Sequence, residues 1–192
     1  MRLIRVMCSG RVDLSFIFRA FAKGQDGVFV GGCKLGECNY TTHGNFDAFA
    51  NVSMGKRILD RIGLNPKRLR IEFMSGADGN LLAEKTDAFT REIKELGPLG
   101  SSEDLNEKTA RFRLEAVRQL VPFLKLAERE RLRVPEKTEQ AYESFFSSPD
   151  LDLLFDRLFS DRLAISQIML LLSRSPMSTE DIAQSLDLNP SE

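Results

Sequence analysis

Three cysteines are the residues of this 192-residue chain best placed to do chemistry. Cys8 stands near the N-terminus, and Cys33 and Cys38 form a C-x4-C pair within Gly31-Gly32-Cys33-Lys34-Leu35-Gly36-Glu37-Cys38. Thiolates are soft ligands for zinc and for iron–sulfur clusters. The three glycines of the loop let backbone N–H groups turn inward, where they can donate to inorganic sulfide. Three readings stay open on residue types alone. Zinc suits three thiolates with His43, the single histidine. An iron–sulfur cluster ordinarily takes four thiolates and finds three here. Free cysteines are also among the most commonly buried residues, so structural thiols are the third reading. His43 itself reads as a loop residue with a local hydrogen bond. A thioredoxin-type reaction is disfavoured by the absence of C-x-x-C, and a cysteine phosphatase loop by Leu14, where an arginine would follow six residues after Cys8.

Convergence of these thiols requires elements that end at one edge. In a parallel α/β sheet, ligands bind outside the carboxyl ends of the strands. Leu3–Met7 reads as a strand leading to Cys8, and Gly27–Gly31 as a buried strand leading to Cys33. Neighbouring strands would bring both thiols to the same edge, with Cys38 folding back in the loop. Asp13 can cap a helix through Phe21 that stops at Gly24. A helix is expected from Phe46 to Ile62, ended by Gly63; a strand from Leu69 to Phe73; and a helix through Leu82, Phe89 and Leu96 that stops at Gly97-Pro98. The fold class expected is therefore α/β, a small parallel sheet flanked by helices over residues 1–98.

Residues 99–106 are polar and turn-forming and read as a linker. Beyond them, 107–192 contains no convincing strand. A charged helix is expected from Glu107 to Leu132 with Pro122 as a kink, another ending near Phe146, then separate apolar helices at Leu151–Phe159 and Ile165–Leu172. Ser178 to Asp181 resembles a capping box opening a last helix. This all-α region resembles a truncated winged helix: Asn189-Pro190-Ser191-Glu192 would only begin the recognition helix that DNA reading needs. The 27 basic and 28 acidic residues nearly cancel, so no global field draws the chain to nucleic acid or an anionic membrane. No stretch approaches the roughly 20 apolar residues of a membrane span, and the N-terminus lacks the regions of a signal peptide. A cytoplasmic location is expected.

The residues also carry a resemblance. Arg5-Val-Met-Cys-Ser-Gly-Arg-Val-Asp13, then Gly27-Val-Phe-Val-Gly-Gly-Cys-Lys-Leu-Gly-Glu-Cys-Asn-Tyr40, Gly44-Asn45, Arg68–Phe73 and Ser75–Gly79 resemble the delta subunit of methyl-viologen-reducing hydrogenase, over roughly residues 2–98. The resemblance implies a 2Fe-2S cluster held by Cys8, Cys33 and Cys38. It implies an electron-transfer subunit of an oxidoreductase complex, without an organic substrate site of its own. The donor implied is a hydrogenase or other dehydrogenase subunit, and the acceptor is the flavin subunit of heterodisulfide reductase; apart from the resemblance, composition gives no membrane partner and disfavours nucleic acid. The chain departs from that family at Leu14, usually Pro, and at Lys34 and Asn39, usually His. Family members also begin with a further strand and a Cys-x-x-Cys, so three alternatives stand: a start further upstream, a piece supplied by another polypeptide, or a version that has lost a full set of cluster ligands. Two other readings remain: a cluster-free adaptor with structural thiols, and a redox-sensing DNA binder. Tyr40 and Phe46 could shield a redox centre from water or pack beneath the loop. Arg11 reads as a solvated arginine or as one pairing with a partner's acid.

Overall fold

The computed structural model describes residues 1–40, 43–132 and 134–188. Its sheet has two strands, β1 (Val28–Cys33) and β2 (Leu69–Met74), paired in parallel with Val28 opposite Leu69 and Cys33 opposite Met74. Parallel neighbours cannot be joined by a tight turn, and the crossover here is a helix, α2 (Asn45–Arg61). Before the sheet comes α1 (Leu14–Ala22), whose first turn is capped by the Asp13 carboxylate accepting from the Ser15 N–H at 2.9 Å. After it comes α3 (Gly79–Leu96). Side chains alternate across the strands, so the two faces meet different partners. On one face, Val30, Leu69 and Ile71 pack with α1 and α2, and Phe73 meets Phe49 of α2 at 5.8 Å. On the other, Phe29 meets Phe89 of α3 at 5.6 Å, and Arg70 lies over the same ring while pairing with Glu92.

The C-terminal part is helical: α4 (Glu107–Arg131) with Pro122 inside it, α5 (Glu139–Phe146), α6 (Pro149–Leu172) and α7 (Thr179–Leu186). It shares one apolar core with the sheet half. Leu14, Phe18 and Phe21 of α1, Ile58 and Leu59 of α2, Leu114 and Val117 of α4 and Phe155 and Phe159 of α6 belong to a single buried cluster. The segment between α3 and α4 is tied down as well. Arg68, wholly buried, donates to both carboxylate oxygens of Glu103 and to the carbonyls of Asp26, Leu96, Gly97 and Pro98. Asp26 in turn accepts from the Leu99 N–H at 2.8 Å. No helix among the described residues is long and apolar enough to cross a membrane.

Two expected elements differ from those found. Leu3–Met7 forms no strand, and Leu3, Ile4 and Met7 are almost fully exposed. A strand exists only with a neighbour to complete its ladder, and β1 pairs with β2 alone. The helices expected at Leu151–Phe159 and Ile165–Leu172 are one helix, α6. Ser160 to Ala164 between them contains no Gly or Pro, so nothing interrupts the backbone ladder. The residues expected to open a recognition helix, Asn189–Glu192, lie outside the described residues.

Candidate metal centre

Each cysteine is brought to the site by a different backbone device. Cys8, in extended conformation, precedes a short 3-10 turn, Ser9–Arg11, and its carbonyl accepts from the Arg11 N–H at 3.0 Å. Cys33 is the last residue of β1, and Lys34 extends the ladder by one bond, its N–H donating to the Met74 carbonyl at 3.1 Å. A turn closed by the Glu37 N–H on the Lys34 carbonyl, at 3.0 Å, then reverses the chain so that Cys38 returns toward Cys33.

The seam between these pieces is lined with backbone. A Cβ on Gly10 would lie 2.5 to 2.8 Å from the backbone of Gly44, so the turn after Cys8 presses directly on the entry to α2. Gly44 has φ +113°, and a Cβ there would sit 2.7 Å from the Cys38 sulfur. Both positions require glycine, the first for close approach and the second for conformation and space. Asn45, wholly buried at the start of α2, donates its Nδ2 to the Cys33 and Lys34 carbonyls, each at 2.9 Å. That one amide fixes how the chain leaves β1.

The three cysteines are free and half-buried, and they are near enough to act on one another's ionisation: Cys38 and Cys8 both bear on Cys33, and Cys33 and Cys8 both bear on Cys38. Burial pushes Cys33 up, and the bond to Cys38 and the charges of Cys38 and Cys8 push it further, to about 11. Burial also acts upward on Cys38. The Asn45 and Tyr40 N–H groups that donate to its sulfur, together with the Cys33 and Cys8 thiols, outweigh it and hold Cys38 below the ordinary thiol range. Cys33 and Cys38 are thus pushed in opposite directions. Among the described residues, no group of three or more His, Cys, Asp and Glu side chains is disposed as a ready cage for a single ion.

His43 does not join them. Its side chain is exposed, and Nδ1 lies 3.1 Å from Asp47 Oδ2 within the first turn of α2. The zinc reading that drew on His43 therefore lacks its fourth donor in this conformation. Phe46 packs into the interior against Tyr142 at 4.9 Å, whereas Tyr40 is 58% exposed. Arg11 is exposed on the 3-10 turn. Sequence reading gave Ser9, Gly44 and Asn45 no role of their own. The available signal was a Gly-Asn pair directly ahead of the helical periodicity, a pattern suited to a left-handed entry and a polar first residue.

Residues 1–97, just over half of the chain and the whole of this seam, match the family model for the methyl-viologen-reducing hydrogenase delta subunit. The chain belongs to that family. Among curated relatives, the vhu iron-sulfur subunit of the F420-non-reducing hydrogenase of Methanococcus maripaludis is 47% identical over 97 residues, covering 50% of this chain and 72% of that protein. The iron-sulfur subunit of the F420-non-reducing hydrogenase of Archaeoglobus profundus is 42% identical over 97 residues, 50% of this chain and 70% of that protein. A subunit of the ferredoxin/F420H2-dependent CoB-CoM heterodisulfide reductase of Methanosarcina acetivorans is 45% identical over 100 residues, 52% of this chain but only 12% of that much longer protein.

Proposed function

We propose that this chain is the electron-transfer subunit of an oxidoreductase complex and that it holds a 2Fe-2S cluster through Cys8, Cys33 and Cys38. In this reading it relays electrons from a hydrogenase or other dehydrogenase to a heterodisulfide reductase-like flavoprotein. The observation that carries the reading is the seam itself: Gly10, in the turn after Cys8, presses on the backbone of Gly44, and a Cβ on Gly44 would lie 2.7 Å from the Cys38 sulfur, so the Cys8 turn and the loop from Cys33 to Cys38 meet at one place. Relatives named as the iron-sulfur subunit of a hydrogenase and as part of a heterodisulfide reductase support the assignment of cofactor and partners.

The residues present suit such a group. The donor set is soft, Gly44 leaves the Cys38 sulfur accessible where any side chain would obstruct it, and two buried polar atoms in the seam have no protein partner. When bound, the cluster supplies one-electron redox chemistry at iron. The chain's own contributions are electrostatic and geometric. The Asn45 and Tyr40 N–H groups favour negative charge at the Cys38 sulfur, and the Asn45 amide holds the exit of β1 in place.

Anaerobic purification of the full chain, followed by iron and sulfide analysis and EPR of the reduced protein, tests this reading. The expected result is iron and sulfide in equal amounts with an EPR signal on reduction, all lost when the three cysteines are replaced by alanine. A colourless, iron-free protein after reconstitution would overturn it. One observation favours a second reading, a cluster-free adaptor: among the described residues no group of three or more His, Cys, Asp and Glu side chains is disposed to hold a metal ion. Under that reading the triple alanine chain would assemble with its partners and support their activity unchanged.

A further inference from the structure

Ser9 Oγ and Asn45 Oδ1 are the two buried side-chain polar atoms found without a hydrogen-bond partner among the described residues, and both lie in the thiol seam. Ser9 directly follows Cys8 and is only 7% exposed. A Cβ on Gly32, the residue before Cys33, would come within 3.1 Å of its Oγ. Asn45 is wholly buried, and its Nδ2 is committed to the Cys33 and Lys34 carbonyls. An unpaired polar group in the interior is costly, and native chains retain one where a ligand or solvent completes it. The two atoms are not equivalent. Asn45 Oδ1 can only accept and has nothing to offer a sulfur, whereas Ser9 carries a hydroxyl hydrogen. The two do not bond to each other, and no thiol accepts from Ser9.

We infer that Ser9 is a tuning residue, whose hydroxyl donates to a sulfur of the group held by Cys8, Cys33 and Cys38 and raises its reduction potential. This rests on the cluster reading above. One-electron reduction adds a negative charge and transfers no proton here, so a donor aimed at sulfur stabilises the reduced state more than the oxidised one.

The test is an EPR-monitored redox titration of the full chain, wild type against Ser9→Ala and Ser9→Thr, after iron and sulfide have been measured in each. The expected result is equal iron and sulfide in all three. In Ser9→Ala, the reduced-to-oxidised ratio at fixed potential should fall about tenfold, a shift of about 59 mV to lower potential for a one-electron couple. Ser9→Thr, which keeps the hydroxyl, should restore the wild-type value. A fully loaded Ser9→Ala chain with an unchanged potential overturns the role of Ser9 and leaves the cluster reading standing. An iron-free wild type overturns the cluster reading instead. If Ser9→Ala does not load, Ser9→Val and Ser9→Thr, equal in shape and different in the hydroxyl, are titrated against each other. Equal potentials, or loading of Thr but not Val, overturn the tuning role, the latter by making the hydroxyl a requirement for assembly.

Discussion

Two clusters of buried polar groups stand in the same small sheet half, and they are built on opposite principles. Around Arg68 every hydrogen-bonding direction is used: Glu103 through both oxygens, four carbonyls, and the Ser102 hydroxyl. Around the thiols, Ser9 Oγ and Asn45 Oδ1 are left over, and glycines stand where side chains would close the space. The first arrangement is complete within the chain and serves to lock strand, helix end and connecting segment together. The second leaves a buried hydroxyl and a buried amide oxygen for solvent or a further group to complete, because an unpaired polar atom in the interior lowers stability. Satisfaction of polar groups, more than their number or burial, separates a structural knot from a site.

The sharpest way to break this comparison is Arg68→Met. Removing one member of a buried ion pair leaves the other charge unpaired and strips several carbonyls of their donor, at a cost of about 3–5 kcal/mol. Urea denaturation should show that loss, while whatever chain remains folded binds iron in the wild-type ratio. A loss below about 1 kcal/mol would mean that the knot is not the structural device described.

Gly44→Ala should do the reverse. The backbone at φ +113° is open to glycine alone, and the added Cβ would strike the Cys38 sulfur. The expected stability cost is smaller, about 1–3 kcal/mol, but iron and sulfide should fall severalfold. Wild-type iron in a stable Gly44→Ala chain would separate Cys38 from the site.

Much of this division was open to inspection in the sequence, for local reasons. The ends of α2 and α3 follow from Gly63 and from Gly97-Pro98, and the caps at Asp13 and Ser178 from their spacing to the next helical turn. Convergence of the thiols was expected from two adjacent strand ends; the contact present beside Cys38 is of another kind. Gly10 against Gly44 carries Cys8 to the site, with no strand before it. What stayed hidden depends on neighbours remote in sequence. Leu3–Met7 has the composition of a strand but no ladder partner. Ser9 and Asn45 look like turn and helix-start residues until burial shows which of their atoms are unmatched. Arg68 and Glu103, 35 residues apart, carry no local signature at all.

A smaller effect separates the clusters by pH. Burial pushes the Glu103 carboxyl up, but the Arg68 guanidinium, the Asn65 N–H and Ser102 prevail and hold it below the usual carboxylate range. A carboxyl depressed in the folded state contributes stability that is fully present above its unfolded value and is lost as pH falls through the folded one. Urea midpoints should therefore decline below the ordinary carboxylate range in wild type. Glu103→Gln, less stable at neutral pH, should show a flatter acid limb. Parallel acid limbs would place the titrating carboxylate elsewhere.

The smallest expected effect is the most discriminating for the donor set. His43 sits four residues before Asp47 with its side chain 76% exposed, and an exposed pair of that kind contributes about 0–1 kcal/mol. If the site is a thiol site, His43→Gln should leave iron, sulfide, reduced-state EPR and the urea midpoint at wild-type values, and zinc supplied aerobically should gain no affinity from the native histidine. A fall in bound metal, or an EPR line shape altered by the substitution, would mean that the ring turns from Asp47 to join the cysteines. The set would then be three sulfurs and a nitrogen, a combination that suits zinc as readily as iron. Zinc has no redox couple for Ser9 to tune, so the histidine variant bears on the tuning role as directly as on the metal.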